Sequence, residues 1–192
     1  AALLVTGTQD PEWDRKPSKI AIQRIEIATG AVIPFAAAPG MVVAPHPSPD
    51  GKHLAYLATD AQRLSHKPRR LFVMPLAGGA PVLLNDGQYR FHYVRLSDDS
   101  QTAVWRAVEM YGGTWEIFSA PLDGSGAATR LNGPITTGGE VDGFVISPDG
   151  EWVVYSAEQD TDEVTELYSA PIGGGSWTKL NGPLPPGGAV ED

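Results

Sequence analysis

Four histidines, His46, His53, His66 and His92, are the side chains best suited to acid–base or metal chemistry in a chain that has no cysteine. They fall singly, without the His-Glu-x-x-His spacing that puts two imidazoles on one helical face. His92 lies on what reads as an innermost strand, where it could line a channel and hold a metal or act as a base; a hydrogen-bonded or solvated histidine is the commoner use. His46, beside Pro47, reads as structural. The acidic runs Asp160-Thr161-Asp162-Glu163 and Glu191-Asp192 offer oxygens at short spacing but not the pattern of a calcium loop, so they read as solvated. Gly124-Ser125-Gly126 lacks the spacing of a Gly-x-Ser-x-Gly nucleophile elbow. The residues therefore assign no catalytic group, no metal site and no cofactor.

Binding is better supplied. Trp13, Arg15, His66, Arg69, Arg90, His92, Tyr111 and Trp115 are aromatic or cationic residues in or beside predicted loops, and such types dominate interaction hot spots. They are the candidate contacts for a protein partner or small ligand. Arg69 belongs to a small basic cluster, Lys67-Pro68-Arg69-Arg70, in a chain whose formal net charge is −9 and whose pI is about 4.8. That balance argues against a nucleic-acid surface, which carries a basic stripe. No apolar run approaches the roughly 20 residues that span a bilayer, so membrane insertion is not expected. The chain opens on Ala1 without a Met, as a processed or excised segment would.

The elements that must position these residues follow from a repeat. Ile146-Ser147-Pro148-Asp149-Gly150-Glu151-Trp152-Val153-Val154-Tyr155-Ser156 is echoed from Pro47-Ser48-Pro49-Asp50-Gly51 and, more loosely, from Leu96-Ser97-Asp98-Asp99-Ser100. The three serines, Ser48, Ser97 and Ser147, stand 49 and 50 residues apart. Each copy reads as strand, tight turn, strand, since Asp-Gly between alternating apolar residues is a strong hairpin signal. Further marks keep the period: Met74-Pro75-Leu76, Ala120-Pro121-Leu122 and Ala170-Pro171-Ile172, and likewise Leu84-Asn85, Leu131-Asn132 and Leu180-Asn181. Four short strands per period of about fifty, with no helical periodicity, predict an all-β fold: a β-propeller of four-stranded antiparallel blades, about four per chain. The repeats run approximately over 1–40, 41–86, 87–133 and 134–182, with 183–192 starting the next blade or closing the ring. The chain opens on a second strand, so the first blade lacks its innermost one. Tyr56, Trp105, Trp152 and Tyr155, on the second strands, are expected in the core between blades.

The Ser-Pro-Asp-Gly turn at Ser147 to Gly150, followed by Leu167-Tyr168-Ser169-Ala170-Pro171-Ile172-Gly173-Gly174, resembles the TolB-type propeller repeat. The resemblance covers essentially the whole chain, as one domain or a propeller fragment, and departs from the pattern where Ser100 replaces the turn glycine. It implies a non-catalytic scaffold that docks other proteins in the bacterial envelope, hence a periplasmic or extracellular place. Its alternative is an enzyme's propeller, either the gating domain of a prolyl-oligopeptidase-like serine hydrolase or a sugar-acid lyase with a channel metal. Such repeats more often come in six to eight blades. Three readings stay open: a closed four-bladed ring, a homodimer completing an eight-bladed ring, or part of a longer propeller. In a propeller the connections between second and third strands gather on one face at the channel mouth; here they are 10–18, 60–70, 109–115 and 159–165, long and unequal, as binding loops are.

Overall fold

The computed structural model describes residues 2–7, 21–34, 41–59, 68–85, 89–185 and 187–190. The described residues form fifteen strands and no helix, and they divide into two compact units, Ala1–Gln88 and Tyr89–Asp192.

The first unit holds a three-stranded sheet in the order β1 (Ala2–Gly7), β2 (Ala21–Glu26), β3 (Val32–Pro34). Beside it in sequence is a four-stranded sheet of β4 (Met41–Pro47), β5 (His53–Thr59), β6 (Arg70–Pro75) and β7 (Val82–Leu83). The second unit holds two more: β8 (Tyr89–Leu96), β9 (Thr102–Glu109), β10 (Glu116–Pro121) and β11 (Thr129–Arg130), then β12 (Val141–Ile146), β13 (Trp152–Ala157), β14 (Glu166–Pro171) and β15 (Thr178–Lys179). All are antiparallel meanders in sequence order. These are the blades of a β-propeller, with the first short of an innermost strand among the described residues.

The repeated turn shows why its residues recur. The Ser48 hydroxyl accepts the His53 amide at 2.9 Å and donates to Asp50 Oδ1 at 2.6 Å, while that carboxylate accepts the Lys52 amide at 3.0 Å. Gly51 closes the turn at φ +69°, where a Cβ is strained. Ser97–Asp99 and Ser147–Asp149 repeat the hydroxyl–carboxylate contact. In the third blade Ser100 takes the glycine's place at φ +60° and the turn still closes, with the Ser100 amide on the Ser97 carbonyl at 2.9 Å.

Two other periodic marks acquire partners. The side-chain oxygens of Asn85, Asn132 and Asn181 accept the amides of Leu71, Ile117 and Leu167 at 2.7, 2.9 and 2.8 Å. Each asparagine therefore ties the end of the short fourth strand to the start of the third. The aromatic residues of the second strands pair across to the third: Tyr56 with Phe72, Trp105 with Phe118 and Tyr155 with Tyr168, at centroid distances of 5.7, 6.1 and 5.4 Å. Tyr56, Trp105 and Tyr155 are buried as expected, but Trp152 is 43% exposed. It differs from Tyr155 by an odd number of residues, so the pleat turns it to the other face of β13, away from the cluster of Val153, Tyr155, Ala157, Tyr168 and Ala170.

Candidate functional site

The site begins with an irregularity in β8. Its register against β9 runs Phe91 to Ala107 and then Tyr93 to Arg106, leaving His92 as a bulge. A bulge reverses the phase of the pleat, and the exposures show it: Arg90 and His92 are exposed before it, Tyr93 and Arg95 after it, with Phe91 and Val94 buried. One innermost strand thus offers four polar or aromatic side chains in six residues. His92 and Tyr93, sequence neighbours that a regular strand would send to opposite faces, have ring centroids 4.1 Å apart. The innermost strands β4 and β12 also change register, between Val43 and His46 and between Val141 and Gly143.

Arg106 of β9 anchors the group from below. It is only 6% exposed, and burying a guanidinium requires partners for its donors. Its Nε donates to the Val141 carbonyl, one Nη lies 3.1 Å from His92 Nδ1, and the other is 3.3 Å from Glu140 Oε2. The Trp115 ring lies against it, 4.5 Å from the guanidinium carbon. Arginine has no acceptor, so His92 Nδ1 must accept and the proton of the neutral ring sits on Nε2. Burial lowers the pKa of Arg106 while Glu140 and Asp142 raise it; the group stays cationic at neutral pH. Because the Trp115 carbonyl also accepts the Val141 amide at 2.9 Å, the third and fourth blades are stitched together at this point.

The exposed layer lies over this base. The Arg90 guanidinium is 5.9 Å from the Trp115 centroid, the His92 ring is 5.9 Å from the same indole, and Arg95 is 5.9 Å from Tyr93. The result is a cationic and aromatic surface in which neighbouring side chains lie against one another. It can hold anionic or aromatic groups by charge-assisted hydrogen bonds and cation–π contact. Among the described residues, no group of three or more His, Asp or Glu could hold a metal, and no helix is long and apolar enough to cross a membrane.

Of the sequence candidates, the structure brings Arg90, His92 and Trp115 together. Tyr111 stands at the tip of the β9–β10 connection, 84% exposed. Arg69 is half-buried one residue before β6, in the other unit. Trp13, Arg15 and His66 lie outside the described residues. Sequence reasoning missed Arg106, Tyr93, Arg95 and Glu140. For Arg106 a signal existed, a lone charge inside the apolar strand Thr102-Ala103-Val104-Trp105-Arg106-Ala107-Val108.

No family model matches the sequence, and no curated protein does. Solved structures do resemble it. A putative TolB from Agrobacterium tumefaciens is 20% identical with a TM-score of 0.56, over 86% of this chain and 56% of that one. TolB from Acinetobacter baumannii is 15% identical with a TM-score of 0.55, over 94% and 42%. The β-propeller domain of the Trilobed protease from Pyrococcus furiosus, described as having an open velcro topology, is 12% identical with a TM-score of 0.58, over 95% and 54%. At these identities the likeness shows the fold, a TolB-like β-propeller shared with propeller domains of peptidases. The chain spans about half the length of these proteins.

Proposed function

We propose that the chain is a non-catalytic β-propeller scaffold that binds a protein partner through the surface formed by Arg90, His92 and Trp115, with Tyr111, exposed in the same β9–β10 connection as Trp115, as a further contact. The observation that carries this reading is the construction of that surface: exposed cationic and aromatic groups are stacked over a buried arginine that is itself fully engaged. Preorganised side chains of these types lose little entropy on binding. In a chain of net charge −9, a cationic surface also selects for a partner with acidic groups by steering.

The second reading, the propeller domain of a peptidase, is favoured by the fold likeness to the Trilobed protease propeller. The same surface would then receive a substrate or a neighbouring domain of that enzyme.

The test is a cross-linking capture from cells by the wild-type chain and by Arg90→Glu and Tyr111→Ala variants, both at exposed positions. A specific protein retained by the wild type should be lost by about tenfold or more in Arg90→Glu, as for a central hot spot. Equal recovery by all three chains sinks the assignment of this surface.

A further inference from the structure

Next to the Arg106 cluster, and sharing Tyr93 and Arg95 with its exposed layer, the second unit contains a cavity of about 380 Å³. Its walls are Tyr93 and Arg95 from β8 and Phe144, Val145, Val154 and Leu167 from the fourth blade. The volume lies at the lower end of the roughly 300–1,000 Å³ of small-ligand sites.

Its chemistry is unevenly distributed. Val145 is 63% exposed and Tyr93 41%, so apolar and aromatic surface stands open there, and its removal from water would favour an occupant. Arg95 is the cation of the cavity. It forms no ion pair with any described residue, and its guanidinium lies over the Tyr93 ring. Asp142 also lines the cavity, and its Oδ2 accepts the Thr165 hydroxyl at 3.2 Å. That carboxylate is therefore engaged within the fourth blade, and Arg95 is the lining cation that a ligand carboxylate would meet.

We propose that it binds a carboxylate carried on an apolar group, with Arg95 taking the carboxylate, Tyr93 covering it, and Val145, Val154 and Leu167 receiving the apolar part. The end of a peptide chain with an apolar last residue and a small hydrophobic acid share this chemistry. The proposal rests on the reading of the chain as a binding scaffold, but not on the surface at Arg90.

The experiment is calorimetric titration of the full chain with N-acetylphenylalanine, with its carboxamide, and with a five-residue peptide ending in phenylalanine with a free carboxylate. The acid or the peptide should bind saturably, and the carboxamide about tenfold or more weaker, since a charge-assisted hydrogen bond is lost. Added salt should weaken the carboxylate ligands. Arg95→Ala should lose the preference for acid over amide and Arg95→Lys keep part of it, both with the wild-type melting temperature because the side chain is exposed. Tighter binding of the peptide identifies a chain end as the ligand, and tighter binding of the free acid a small metabolite. Lys52→Ala, which removes an exposed cation of the first unit, should bind as the wild type does, and loss of a protein partner by Arg90→Glu in the capture experiment is read independently of this titration. Equal affinity for acid and amide, no binding of either carboxylate, or an unchanged preference in Arg95→Ala overturns the proposal.

Discussion

At the scale of single residues, the repeated aspartate is a group whose titration is changed by folding. The Ser48 hydroxyl, and after it the Lys52 amide, hold the Asp50 carboxyl down at about 2 against an ordinary value of 3.8. Ser147 and the Glu151 amide lower Asp149 in the same direction. A carboxyl whose pKa is lower in the folded state binds its proton more readily when unfolded, so it stabilises the fold above the unfolded value and loses that effect as pH falls through the folded one. For Asp50 the window is therefore from about pH 4 down to about 2. Thermal unfolding followed over this range should show a slope with pH that flattens in Asp50→Asn, whose side chain does not titrate; identical slopes would contradict the contribution of this turn. Asp50 was readable in the sequence as a turn residue. Its serine partner was present in every copy too, but nothing local showed that the hydroxyl bonds both the carboxylate and the chain five residues on.

At the scale of the strand, the asparagine at the end of each fourth strand makes a comparable argument. Ile117 is fully buried, and its amide has Asn132 Oδ1 as acceptor. Asn132→Ala leaves that amide without a partner, a loss of about 1–3 kcal/mol. Asn181 makes the same bond to Leu167, where both residues are partly exposed; water can replace the oxygen there, and Asn181→Ala should cost less than about 1 kcal/mol. Urea denaturation of both variants, at unchanged slope, checks the order; equal losses would refute it. The Leu-Asn repeat was visible in the sequence, but its partner lies 14 or 15 residues earlier and depends on sheet register. Register also explains why the site was only half legible. Period-two alternation places His92 and Tyr93 on opposite faces, and only the bulge at His92 unites them.

At the scale of the whole molecule, the fourth blade exposes Trp152 and Leu180 besides the cavity residues. Blades bury their faces against neighbours, and exposed apolar residues on such a face mark an association site. Light scattering at several concentrations should give a mass near twice 20.4 kDa, falling towards the single-chain value in Trp152→Glu; a clean wild-type monomer would exclude the two-chain assembly. What the sequence by itself determined was the period, the turn positions, the order of strands and the presence of about four repeat units in this stretch, because hairpin turns and alternation are local properties written within a few residues. The tertiary structure alone decided which side chains meet. Arg106 reaches His92 on a neighbouring strand, Trp115 beyond a loop and Glu140 before the next blade. Those contacts depend on a register shift and on one blade packing against another, and neither leaves a periodic trace in the chain.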